Sequence, residues 1–158
     1  MAQLRRDFFF NDTATTEIYT EGTLAVETIL GTRPDLVVLD CTVRDGGLVN
    51  AHRLSDEFVG AVYRACIDAG IDYMEIGYKN SAKLFSPDEY GCWRHSNEDD
   101  MRRIVGDNPT DLKLSTMADA GRCDYKEDIP NKKDSVVDLI RVACYINQVP
   151  IALDMIKD

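Results

Sequence analysis

The chain has 158 residues, 44% hydrophobic content and a formal net charge of −10, enough chain for about one folded domain. No apolar run approaches the ~18 residues that a bilayer crossing needs, so no membrane partner is expected. The acidic balance also argues against nucleic acid, whose binding depends on clustered Lys and Arg, and leaves a small molecule as the expected partner.

Five cysteines, Cys41, Cys66, Cys92, Cys123 and Cys144, are widely spaced with no C-x-x-C pair. That pattern reads as reduced thiols of a cytoplasmic protein, not as a disulfide framework or a zinc site. Asn11 to Thr20, NDTATTEIYT, has no hydrophobic period and matches the translation of a common short-read sequencing adapter. Residues 1–32 are therefore expected to be an artefactual or disordered leader and are set aside from fold reasoning.

From residue 33 onward the pattern is that of a parallel α/β protein. Leu36 to Leu39 is a short apolar run punctuated by Pro34 and Asp35, as expected of a strand covered on both faces. Leu54, Phe58, Ala61, Val62, Ala65, Cys66 and Ala69 form a helical stripe that ends at Gly70, with Asp56 and Glu57 suited to its positive end. Ile71 to Tyr78 reads as the second strand, and strand, helix, strand with short joints predicts a right-handed parallel unit. Lys79 to His95 is too long for a plain connector and is either a lid or a packed surface loop.

Ser96, with Asp99 three residues on, is the expected cap of a helix that runs through Val105 and is closed by Gly106. Leu112 to Met117 and Asp138 to Cys144 are the expected third and fourth strands, joined by a short or irregular crossover through Asp124 to Ser135. A last helix opens near Asn147, with Pro150 in its first turn. The sum is four strand and helix units.

Charge at the carboxyl end of a parallel strand reads as chemistry, because ligands sit there in open sheets and barrels alike. The stretch DCTVRDGG, Asp40 to Gly47, follows LVVL at that place. Asp45 is a hard oxygen ligand suited to Mg2+ or Mn2+, and Arg44 beside it can hold an oxyanion without losing its proton, a pair suited to enolate chemistry. As bare spacing, R-D-G-G equally suits a structural turn. Glu75, near the end of the second strand, can reach the same place and orient Arg44, or form an ordinary ion pair with it.

His52 is a candidate proton shuttle or else a solvent-facing or capping residue, and His95 is a weaker candidate. Arg141 interrupts the apolar fourth strand, for substrate carboxylate binding or a structural ion pair. Ser115 on the third strand either faces the site or is a core hydroxyl.

These residues resemble the DRE-TIM metallolyase superfamily of (β/α)8 barrels over roughly residues 35 to 158. VLDCTVRDGG with Asn50, DYMEIGY, SPDEYGCWR and DLIRVACY look most like its 4-hydroxy-2-oxovalerate aldolase-type members. The resemblance implies a TIM barrel, of which 33–158 would be the N-terminal part, and a carbon–carbon lyase acting on a 2-oxo acid through a pyruvate enolate. It implies Asp45 as a ligand of Mn2+ or Mg2+, Arg44 as the enolate stabiliser and Glu75 as the residue that holds the arginine, with the metal polarising the 2-oxo group.

Leu48 stands where many relatives carry Gln or His, and the family's His-x-His pair does not occur in this sequence. The remaining metal ligands are therefore expected outside it, and an isolated fragment is expected to be inactive and to self-associate through unpaired sheet edges. Two alternatives remain open, an acyl-CoA condensing synthase of the same superfamily and a non-catalytic open α/β binding domain of four strands.

Overall fold

The computed structural model describes residues 36–158, so the expectation of a leader over 1–32 lies outside the described residues. The chain divides into two units at Val37/Val38, the second being Val38–Asp158. Along this second unit come β1 (Leu39–Asp40), α1 (Thr42–Gly46), α2 (Asp56–Ala69), β2 (Tyr73–Tyr78), α3 (Glu98–Val105), β3 (Lys113–Asp119), α4 (Tyr125–Asp128), β4 (Leu139–Ala143) and α5 (Val149–Lys157), with short 3-10 turns between. The four strands form one sheet in the order β1-β2-β3-β4, with every neighbouring pair parallel. Strand order that follows chain order, with crossovers of constant right hand, winds all helices onto one face of the sheet. That is the winding of part of a barrel, whereas a doubly wound sheet reverses its order.

The two faces differ accordingly. Met74, Ile76 and Leu114 lie in the core cluster with Val59, Met101 and Val105 from α2 and α3. Alternate residues point the opposite way, so Glu75 faces away from those helices. Parallel register extends that second face, because Glu75 pairs with Ser115 and Met117 with Arg141.

Helix α2 begins one residue after Ser55, whose hydroxyl accepts from the Phe58 amide at 3.2 Å, and it ends at Gly70 in the left-handed region with φ of 67°. Its boundaries agree with the sequence pattern and its inward face agrees in part, since Cys66 is buried in the core and Leu54 and Val62 pack against it. Val59, Gly60, Tyr63 and Cys66 are buried while Phe58, Ala61 and Ala69 are exposed. The face is turned because Tyr63 donates to Asn108 Oδ1 at 2.7 Å, which commits an amphipathic ring to the interior that a purely apolar stripe omits.

Two further expectations need correction, and one of the two readings left open for the loop after β2 is met. The first strand pairs only at Leu39 and Asp40 and is half-buried there, because β1 has a single neighbour in the sheet. The chain then leaves the sheet at once: Asp40 accepts from the Thr42 amide at 3.1 Å and the Thr42 hydroxyl at 2.8 Å, which starts α1. Ser96 is not a helix cap. It is buried with φ of 42° and donates to the Trp93 carbonyl at 3.3 Å, while Asn97 takes the N-cap position of α3. The loop after β2 is packed at both ends, with Lys79, Asn80, Ser81 and Trp93 through Ser96 buried.

Gly77 permits that packing: a Cβ there would lie 2.4 Å from the Trp93 carbonyl oxygen and 2.3 Å from Ser96 Oγ. The crossover after β3 is irregular as expected, and Pro150 sits in the first turn of α5. No helix of the described residues is long and apolar enough to cross a membrane.

Candidate functional site

Glu75 is the centre of the arrangement. Its side chain is 0% exposed, and it is reached by three other residues. Arg44 Nε donates to Oε2 at 2.7 Å, Arg141 Nε to Oε1 at 2.8 Å, and Arg141 Nη2 to Oε2 at 2.7 Å. The Cys41 thiol lies 3.4 Å from Oε2. α1 carries Arg44 over the carboxyl end of β1, and β4 carries Arg141 level with Met117, one side-chain layer above Glu75 and Ser115. A second guanidinium at Glu75 was foreseen only as an unspecified ion pair for Arg141.

Burial pushes the Glu75 carboxyl up, but the hydrogen bonds from Arg141 and Arg44 outweigh it and hold the group below its ordinary value. Burial likewise disfavours the charge on Arg44, and the Glu75 bond reverses the balance, so its guanidinium keeps its proton more firmly than usual. Burial raises the Cys41 thiol, which makes it a poor nucleophile.

Tyr78 joins the same face through an irregularity in β2. The register with β3 shifts between Glu75 and Gly77, so Tyr78 pairs with Met117 and shares a face with Glu75 although it lies an odd three positions on. Two guanidiniums meet its ring, Arg44 at 5.8 Å and Arg94 at 4.6 Å from the centroid. His52 packs edge-on against it at 5.3 Å.

His52 is buried, 1% exposed, so it is not solvent-facing. Its Nε2 lies 3.1 Å from Arg94 Nη1. A guanidinium only donates, so Nε2 accepts and Nδ1 carries the proton, without a partner and against Gly47, where a Cβ would lie 2.2 Å from Nδ1. Burial and then the Arg94 charge push the imidazole down to about 4. Ala51 and His52 both have positive φ, 55° and 61°, a strained turn that this packing over-determines.

His95 is also buried, and its Nδ1 donates to the Asn80 carbonyl at 2.8 Å. With Tyr90, Asp100 and Asp128 it lines a separate surface cavity of about 320 Å³ that includes none of the residues around Glu75.

Asp45 is 56% exposed and one of its oxygens pairs with Arg44. Among the described residues no group of three or more His, Cys, Asp or Glu could hold a metal ion. Asp45 therefore offers one ligand position and the described residues do not close a site around it. Ser115 is buried on the Glu75 face with its hydroxyl unpartnered, a donor available to a group bound beside Glu75.

Sequence reasoning missed Arg94, Tyr78 and the structural service of His52. The one available signal was composition: Arg94 lies in a segment with Phe85, Tyr90 and Trp93, and arginines stack on aromatic faces.

No family model matches the sequence. Over 121 residues the chain is 26% identical to 4-hydroxy-2-oxovalerate aldolase 2 of Salinispora arenicola (strain CNS-205), an alignment covering 77% of this chain and 34% of that protein. Its fold matches the crystal structure of the N-terminal domain of a "putative aldolase" from Bacteroides vulgatus, with a TM-score of 0.62 and 25% identity over 77% of this chain and 41% of that one. The chain thus spans about a third of the length of the curated relative it matches, to which it is a distant homologue.

Proposed function

We propose that this chain supplies the arginine half of an aldolase-type active site, in a carbon–carbon lyase acting on a 2-oxo acid through a pyruvate-like enolate. One observation carries the reading: a fully buried carboxylate, Glu75, clamps Arg44 and Arg141 at the carboxyl end of a singly wound parallel sheet. Glu75 is a positioning residue. By fixing Nε of Arg44 it aims the rest of that guanidinium outward, where a preorganised donor stabilises an enolate oxygen at no cost in reorganisation. Arg141 holds the other side of Glu75, and its outer nitrogen together with the Ser115 hydroxyl suits a substrate carboxylate.

The distant homology to an aldolase and the fold match support that class. A divalent metal, Mn2+ or Mg2+, belongs to the same reading as the Lewis acid at the 2-oxo group, with Asp45 as one ligand and the others outside the described residues. His52, with its basic nitrogen taken by Arg94, serves as a positioning residue in this scheme and not as the base.

The test is binding of pyruvate to the full chain, read by saturation transfer from protein to the pyruvate methyl protons. Transfer that is present in the wild type and lost in Arg44→Gln, with the fold unchanged by circular dichroism, supports the reading. Absence of transfer, or its persistence in Arg44→Gln, overturns it and favours a non-catalytic domain whose ion pairs are structural.

A further inference from the structure

Arg94 presents a problem that the rest of the fold does not solve. Its side chain belongs to a residue only 6% exposed, its charge is permanent, and buried charges are ordinarily matched by a carboxylate. Among the described residues Arg94 has no such partner. One nitrogen donates to neutral His52, its Nε has no partner, and its charge is faced by three rings: Phe85 at 4.2 Å, Tyr78 at 4.6 Å and Tyr90 at 5.7 Å. Asp119 is near enough to be felt but is engaged by Asn80 Nδ2 at 3.2 Å and forms no ion pair with it. Burial correspondingly makes this guanidinium hold its proton less firmly than usual.

Rings soften the cost of a buried cation without neutralising it. Its position is not random either. Arg94 and Arg44 share the Tyr78 ring, so the unmatched charge lies beside the residues gathered around Glu75. His52, itself strained and pressed on Gly47, fixes the guanidinium from behind.

We infer that Arg94 anchors an anion subsite next to Arg44, and that the molecule bound there carries a second anionic oxygen group beyond its 2-oxo acid end. The 2-oxo acid half of this statement rests on the function proposed above; the anion subsite does not. The second group is a carboxylate or a phosphate, since either accepts from a guanidinium fork. A charge-assisted hydrogen bond of this kind is worth about tenfold or more in affinity.

The experiment is calorimetric titration of the full chain with pyruvate, 2-oxoglutarate, 3-phosphohydroxypyruvate and inorganic phosphate, repeated with Arg94→Met and Arg94→Lys. The Arg94 Nε–H resonance of 15N-arginine-labelled protein is followed in parallel. The wild type is expected to bind at least one of the two 2-oxo acids that carry a second anionic group about tenfold more tightly than pyruvate, and the tighter of the two identifies that group. Arg94→Met should erase that advantage while leaving pyruvate affinity unchanged.

Arg94→Met should also melt close to the wild type, because the desolvation cost it removes offsets the lost His52 bond and ring contacts. A purely structural arginine would lower melting and leave the affinity ratio unmoved. Should Arg94→Met fail to fold, Arg94→Lys must retain the fold and lose the advantage, since it keeps charge and loses the fork. Equal affinity for all three 2-oxo acids in the wild type, or an advantage that survives Arg94→Lys, overturns the subsite. If no 2-oxo acid binds but phosphate shifts the Arg94 resonance, the subsite stands and the 2-oxo acid reading falls; if phosphate shifts nothing either, both fall.

Discussion

Replacing Glu75 by Gln removes one negative charge from between two guanidiniums and changes almost nothing else in volume. Removing one partner of a buried ion pair costs about 3–5 kcal/mol, because the remaining charge stays desolvated. Two features of this site place the expected loss at the lower end. Arg141 is 36% exposed and can turn its charge toward water, and Arg44, although only 13% exposed, keeps Asp45. The expected loss is about 3 kcal/mol, which moves a urea midpoint by about 1–3 M for ordinary m-values.

The loss also depends on pH with a defined sign. The Glu75 carboxyl sits below its ordinary value of 4.5, so its contribution is complete above that value and disappears as pH falls through the lower folded value. Gln does not titrate there. The gap between wild type and Glu75→Gln should therefore be constant near neutrality and narrow below about pH 4.5. Urea unfolding followed by circular dichroism at pH 7 and at pH 3 to 4 measures both quantities. A pH 7 loss within about 0.5 kcal/mol of zero, the range of an ordinary surface substitution, would refute the account of Glu75 as the common partner of Arg44 and Arg141.

Three other outcomes are expected from the same contacts. Gly47→Ala should destabilise by about 1–3 kcal/mol, because its Cβ meets His52 Nδ1 at 2.2 Å, whereas Gly46→Ala, with nothing within 4 Å, should be neutral or slightly stabilising; thermal melts of the two compare them directly. His52 is held at about 4 against an ordinary 6.5, so the unfolded chain binds its proton first and stability should fall as pH drops from 6.5 toward 4, a slope absent in His52→Gln and checked by its ring proton shifts. Because the described residues offer Mn2+ only Asp45, far short of a hard-cation cage, they should bind it no more tightly than about 1 mM. Water-proton relaxation would contradict that reading by showing micromolar binding lost in Asp45→Asn.

How far the sequence revealed this arrangement depended on the range of the interactions involved. Local signals worked: Asp56, Glu57 and Gly70 marked the ends of α2, and the four strands appeared in order because apolar runs and turn residues are read within ten or so positions. Ser96 failed as a cap because the choice between it and Asn97 was made by tertiary contacts, the Trp93 carbonyl and the Gly77 backbone.

Arg44, Asp45 and Glu75 were legible as charges at strand ends. That Arg141 would lay its fork on Glu75 was not, since they are 66 residues apart and meet only through the register of three strands. Arg94 and His52 escaped for a related reason. Each is unremarkable locally, and their meaning arises from a contact across 42 residues and from a strand irregularity that turns Tyr78 toward both.

The arrangement also sets local charge against global charge. Around Glu75 and Tyr78, Arg44, Arg94 and Arg141 outnumber Glu75 and Asp45, yet the chain as a whole carries −10. Leaving out the six acidic and three basic residues of 1–35, the formal charge is −7; in a folded unit of the remaining length it sits about 18 Å from an anion at the surface, an unscreened repulsion of about 1.6 kcal/mol per unit charge in water. With a Debye length of about 30 Å at 0.01 M and 8 Å at 0.15 M, about half of it survives at low salt and about a tenth at physiological salt.

Association of the proposed anionic 2-oxo acid should therefore speed up with added salt, by about threefold per unit of ligand charge over that range, the opposite of ordinary steering. Trp93, the single tryptophan, is buried next to Arg94 and offers a stopped-flow fluorescence signal. A rate that falls with salt would mean that the guanidiniums command the field well beyond their own contacts.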